Sequence, residues 1–259
     1  MTSHNQEMHT GRQSGKARIL YQLVSPLHRS AGQGEVDRRL QMLKAWAPES
    51  DIDIASPEDG PAAVESASDA AMVFPSLRKA AQGWQEHGYD AVVIGCFSDP
   101  AIGALKETSG IQVIGPGEAG MLAAVQIGER FSVLSSTPTP PGLRRRIRGI
   151  GIEPMFVSER LVSASVAQLV GDPERHMPGI VDQARQCIDA GADVIVLGCL
   201  AMSFAPGIPE ALSDAIGIPV INPVIAGLKA AETVMLHQAR RPAETIQEPK
   251  TAFCEGSEE

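Results

Sequence analysis

The stretch Gly88-Tyr-Asp-Ala-Val-Val-Ile-Gly-Cys96 returns without a gap as Gly191-Ala-Asp-Val-Ile-Val-Leu-Gly-Cys199. Each copy is a short run of branched apolar residues between a glycine and a cysteine, the pattern of a strand covered on both faces in a parallel sheet. The echo continues outward. Gly110-Ile-Gln-Val-Ile-Gly-Pro116 pairs with Gly217-Ile-Pro-Val-Ile-Asn-Pro223, four residues farther from its cysteine, and residues 18–26 mirror residues 130–138 as a first strand ending in Ser before Pro. A repeated unit of about 100 residues points to two similar lobes; the repeats of a solenoid are shorter and more numerous.

Strands are expected at residues 18–25, 91–95, 112–115, 131–135, 155–157, 194–198 and 220–222, with a weaker one near 52–55. Helix-like segments alternate with them, so the fold class is α/β with parallel sheets. Residues 17–116 together with 223–239 form the expected first lobe and residues 117–222 the second. Residues 1–16 and 240–259 are polar and aperiodic, and read as disordered tails. Ligand-handling groups of parallel sheets gather beyond the C-terminal ends of the strands, where Cys96 and Cys199 both fall. If the lobes face each other across an approximate two-fold, the two thiols point at one ligand from opposite sides.

The 259 residues carry a net charge of -9, which argues against a nucleic-acid partner. The one basic run, Arg144-Arg145-Arg146 with Arg148, reads as a solvated helix face. No stretch reaches the roughly 20 apolar residues of a membrane helix, and there is no secretory pattern. The four cysteines (Cys96, Cys187, Cys199, Cys254) have no CxxC spacing, so free thiols in a reducing cytoplasm are expected. Six histidines without HxH or HxxxH pairing make a metal site unexpected. The partner is then a small molecule, with a homo-oligomer left open.

A lone cysteine is most often simply buried, and that is the reading for Cys187, which has no counterpart; Cys254 lies in the second tail. Matched placement changes the reading for Cys96 and Cys199. Inverting a carbon beside a carbonyl requires one group to take a proton from one face and another to deliver one to the other, and two like residues suit this. A free thiol titrates near 8.5, so the site must favour one thiolate. Ser98 or Asp99 is expected to cap a helix with Pro100 in its first turn, aiming amides at Cys96. The Asp99 carboxylate opposes ionisation of Cys96, whereas Leu200-Ala-Met-Ser203 after Cys199 carries no acid. Cys199 is therefore the expected thiolate at rest and Cys96 the thiol.

Gly115-Pro-Gly-Glu-Ala-Gly120 satisfies the G-x-G-x-x-G spacing of a dinucleotide-binding turn. Against that reading, Glu118 places a carboxylate in the first helical turn, where a pyrophosphate would sit. A tight turn between strand and helix is the alternative.

Ile94-Gly-Cys-Phe-Ser-Asp-Pro100, Val113-Ile-Gly-Pro-Gly-Glu-Ala119, Val194-Ile-Val-Leu-Gly-Cys199 and Ile218-Pro-Val-Ile221 together resemble the aspartate, glutamate and hydantoin racemase superfamily, most closely its hydantoin racemase branch, over residues 18 to 237. The resemblance implies two flavodoxin-like lobes, a cleft site between them, no metal or pyridoxal cofactor, and Cys96 and Cys199 as acid and base. It also implies substrate contacts from Ser25-Pro26-Leu27 and from Ser135, Ser136 and Thr137, with Phe97, Ser98 and Leu200 beside the thiols and Asp99 and Glu118 behind them. Three departures from the branch, at Ser25-Pro26-Leu27, at Leu200-Ala201 and at Asn222-Pro223, are expected at the ligand and predict a less polar pocket than a hydantoin site. On the same fold, decarboxylases and maleate-type cis–trans isomerases are alternatives, as is a non-catalytic binder; relatives of the decarboxylase type lack one of the paired cysteines, and this chain retains both.

Overall fold

The two sequence repeats fold into two sheets of one strand order. The structure, a computed structural model, describes residues 16–136 and 141–238. Thr137, Cys254 and both expected tails apart from Lys16 lie outside the described residues.

The first lobe comprises β1 (Ala17–Leu23), α1 (Leu27–Ser30), α2 (Gln33–Trp46), β2 (Ser50–Ala55), α3 (Ala67–Met72), α4 (Phe74–Trp84), β3 (Ala91–Gly95), α5 (Ile102–Thr108) and β4 (Gln112–Ile114). Its strands pair in parallel in the order β2-β1-β3-β4. α6 (Pro116–Ile127) then carries the chain into β5 (Phe131–Ser135), α7 (Leu143–Gly149), a 3-10 turn at Glu153–Met155, β6 (Phe156–Leu161), α8 (Val166–Gly171), α9 (Pro173–Asp189), β7 (Val194–Leu197), α10 (Leu200–Ser203), α11 (Ile208–Ile216) and β8 (Val220–Ile221). The second sheet runs β6-β5-β7-β8. Finally α12 (Pro223–Gln238) returns to pack on α6, β3 and β4. None of the described helices is long and apolar enough to cross a membrane.

The repeated Gly-x-Asp has the same job in each lobe. Gly88 and Gly191 turn the chain from a helix into the central strand at φ of 73° and 97°, a left-handed region that favours glycine. Two residues on, the Asp90 carboxylate accepts the Arg18 backbone N–H at 2.9 Å, and Asp193 accepts that of Arg130 at 3.0 Å. Each aspartate thus pins the start of the neighbouring strand, and the registers follow: Ile19 lies opposite Ala91, and Phe131 opposite Val194.

The central strands are covered on both faces. Ala91, Val92, Val93 and Ile94 are fully buried, and Val194, Ile195, Val196 and Leu197 nearly so. Burial of this kind, at about 25 cal/mol per Å² of apolar surface, fixes where the strands end and hence where the cysteines sit. Helix α9 shows the local logic: Asp172 caps it, Pro173 opens it, and Ile180, Ala184 and Cys187 form its buried stripe. Cys187 is accordingly a core residue.

Strand ends differ from expectation where side chains do not announce them. β6 runs Phe156–Leu161 and not 155–157, because it is an edge strand, nowhere fully buried, that carries Glu159 and Arg160. Met155 belongs to the 3-10 turn before it. β1 stops at Leu23, leaving Val24 and Ser25 in the loop that reaches the site.

Candidate active site

Cys96 follows β3 directly, and Cys199 occupies the N-cap position of α10 just beyond β7. Both thiols line one cavity of about 120 Å³ between the lobes, together with Ser25, Phe97, Ser98, Ser136 and Leu200. Cys199 is buried and Cys96 partly so. An adjoining outer hollow of about 740 Å³ shares Leu27, Ala62, Ala63, Val166 and Val170 with it.

Burial pushes the Cys96 thiol up to about 11; bonding from Ser98 and the positive charge of Arg146 work against this, and the Asp99 charge adds to it. Burial likewise raises Cys199, opposed by the Ser136 hydroxyl, the backbone N–H of Ala201 and of Met202, and the positive charge of Arg39. Hydrogen bonds to an anion favour its ionised form. The two surroundings differ in one respect expected from the sequence: an acid, Asp99, stands beside Cys96 and none acts on Cys199.

Asp99 does not cap the helix that follows it. α5 begins only at Ile102, after Asp99 and Ala101 take left-handed backbone at φ of 49° and 60°. The Asp99 carboxylate instead turns away from α5, accepting the N–H of Gly117 at 2.9 Å and of Glu118 at 2.7 Å at the start of α6. Nη1 of Arg146 donates to it at 2.7 Å and to the Phe97 carbonyl at 2.6 Å. This settles the G-x-G-x-x-G stretch physically: the amides that would meet a phosphate already hold a carboxylate. Gly117 is glycine because a Cβ there would collide with the Phe97 carbonyl and come within 2.5 Å of Arg146 Nη1.

Asp99 and Glu118, expected behind the thiols, do not line the cavity, and neither does Ser135, expected at the substrate, which is fully buried beneath Gly198. Of the three departures from the hydantoin branch, Leu27 and Leu200 line the cavity but Asn222 does not. Its side chain caps α12, accepting the Val224 N–H at 3.0 Å, and donates to the Ser203 carbonyl at 3.1 Å.

Sequence reading missed Arg39, Val64, Val166 and Val170, all of which line the cavity. Arg39 lies among the polar residues of α2 and resembles any solvated arginine until the fold turns it inward, where it is 7 % exposed. Val166 and Val170 are one helical turn apart on α8, whose start is set by a capping box of Ser165 with Gln168. That Ser-x-x-Gln signal was present in the sequence; which cavity the helix covers was not.

A duplicated parallel fold with its cavity at the strand ends defines a class of two-lobed α/β proteins with room for a small molecule between the halves. The Asp/Glu/Hydantoin racemase family matches residues 30–231. The hydantoin racemase of Rhizobium meliloti is 32% identical over 186 residues, covering 71% of this chain and 76% of that protein. Among solved structures, the allantoin racemase of Klebsiella pneumoniae superposes with a TM-score of 0.75 at 23% identity, covering 86% of this chain and 89% of that one. Allantoin racemase from Pseudomonas fluorescens gives 0.74 at 24%, covering 89% and 100%. The chain belongs to the Asp/Glu/hydantoin racemase family, and with it to the isomerases.

Proposed function

We propose that this chain is a cofactor-independent racemase or epimerase that inverts an acidic carbon next to a carbonyl, with Cys96 and Cys199 as the proton-transfer pair. The observation that carries the reading is the arrival of one thiol from each lobe, at equivalent strand ends, in the same cavity. In one direction the Cys199 thiolate takes the proton from carbon, becoming a thiol, and the electron pair moves into the carbonyl as an enolate. The Cys96 thiol then delivers its proton to the opposite face and is left as thiolate; the reverse reaction exchanges the roles. Ser25, Ser98 and Ser136 supply hydroxyls for the developing oxyanion. The acid Asp99 beside Cys96, with none acting on Cys199, supports Cys199 as the resting thiolate.

The hydantoin racemase of Rhizobium meliloti supports a carbonyl-flanked substrate carbon, hydantoin-like or amino-acid-like. Leu27 and Leu200 make this cavity less polar than that branch's motifs would. The test is proton exchange in deuterated water with panels of hydantoins, amino acids and malonates. Exchange at the acidic carbon without loss of carbon dioxide, abolished in Cys96→Ala and Cys199→Ala, is the expected result. Tight binding of a ligand with no exchange across the panels would overturn it in favour of a binder, and release of carbon dioxide in favour of a decarboxylase.

A further inference from the structure

We infer that Arg39 selects the substrate of this cavity, and that the class it selects is a small carboxylate whose two oxygens it holds. This rests on the racemase reading of the cavity and narrows its substrate.

Arg39 is the one charged side chain among the described residues lining the inner cavity. It is also firmly held. Its Nε donates to Glu35 at 2.8 Å, and its guanidinium carbon lies 4.7 Å from the centre of the Phe204 ring. That ring is itself wedged by Trp46 at 5.5 Å and Tyr21 at 5.8 Å.

Glu35 does not neutralise the site. Arg38 takes the same carboxylate with two bonds, from Nε at 2.7 Å and Nη2 at 2.8 Å, and sends Nη1 to the Phe204 carbonyl. Two guanidiniums against one carboxylate leave one positive charge. Arg39 uses only Nε in these contacts, so Nη1 and Nη2 donate to no acceptor among the described residues. Those two nitrogens form the fork that matches a carboxylate in a bidentate pair.

The apolar part of the wall raises the value of that pair. Leu23, Val24, Leu27, Val64, Val166 and Val170 are apolar, and low polarity strengthens attraction between opposite charges. Glu65 and Asp69 belong to the outer hollow and not to the inner cavity. The volume of about 120 Å³ suits a compact acid, with any apolar substituent directed at Val166 and Val170.

The test compares alkylation by iodoacetate and by its neutral isostere iodoacetamide, site by site at Cys96 and Cys199 with peptide mapping and with glutathione as the reference thiol. The iodoacetate-to-iodoacetamide rate ratio at the cavity thiols should exceed that of glutathione by about tenfold or more, as expected for one charge-assisted bidentate pair. Arg39→Gln should return it to the glutathione value, and Arg39→Lys should fall between. A wild-type ratio equal to that of glutathione would overturn the proposal. Should Arg39→Gln fail to fold, the wild type alone decides: propionate, and not propionamide, must slow iodoacetamide at both thiols. A preserved iodoacetate preference with no deuterium exchange in any carboxylate would leave the anion site standing and sink the racemase reading.

Discussion

Arg146 of the second lobe donates its Nη1 to the Asp99 carboxylate of the first-cysteine loop at 2.7 Å, and its guanidinium carbon lies 5.4 Å from the Phe97 ring centre. The sequence places these residues 47 positions apart, on either side of the lobe junction. Through this ion pair the second lobe sets the position of the loop that carries Cys96. Removing one partner of a buried pair strands the other charge. Arg146→Ala should therefore destabilise the fold by about 3–5 kcal/mol in urea unfolding. As a positioning residue it should also lower kcat more than it raises KM, with Arg146→Lys restoring part of both. A variant of wild-type stability and unchanged kcat would contradict the assignment.

Close approach at α6 gives a second expectation. Gly117→Ala inserts a methyl against the Phe97 carbonyl and Arg146, where backbone must move to admit it. The cost should be about 1–3 kcal/mol, typical of overpacking. Because the atom pushed belongs to the residue after Cys96, the alkylation rate at Cys96 should change while that at Cys199 stays near wild type. Equal shifts at both thiols would place the strain elsewhere.

Alkaline pH should weaken the fold through Cys96. Burial raises this thiol from about 9 to about 11, so the folded state holds the proton longer than the unfolded chain. Its contribution is complete below pH 9 and is lost as the pH rises through 11. Two units at 1.36 kcal/mol each set its size at up to about 3 kcal/mol. Unfolding free energies at pH 8, 9.5 and 11 should fall more steeply in wild type than in Cys96→Ala; parallel profiles would refute the shift.

Leu27 and Leu200 should govern ring-shaped against compact substrates. Leu200→Ala enlarges the cavity at a cost of about 2 kcal/mol, toward the low end for a leucine that already faces open space. Adding Leu27→Asn supplies an amide where the hydantoin branch has one. Deuterium exchange in a hydantoin, relative to that in a small carboxylate, should rise in the double variant. No change in the ratio would show that these two side chains do not set the choice.

The sequence alone determined the parts of this protein that repeat. Gly88-x-Asp90 and Gly191-x-Asp193 each encode a turn, a strand start and a cysteine eight residues after the glycine, and such local chemistry works the same way in any parallel sheet. Hence the α/β class, the two lobes and the candidate pair Cys96 and Cys199 could be read before any coordinates. The family resemblance of the motifs around those strand ends implied Ser25, Phe97, Ser98, Ser136 and Leu200, which line the cavity. What only the tertiary structure decided lies where the lobes meet. Arg39 turns inward because Glu35 and Phe204 hold it; Asp99 bonds α6 and Arg146 and leaves α5 uncapped; Asn222 caps α12 and leaves the cavity wall to others. These outcomes depend on which distant donor, ring or amide arrives within about 3 to 5 Å, the range of hydrogen bonds and ring contacts, and a single chain read in order carries no record of such distances.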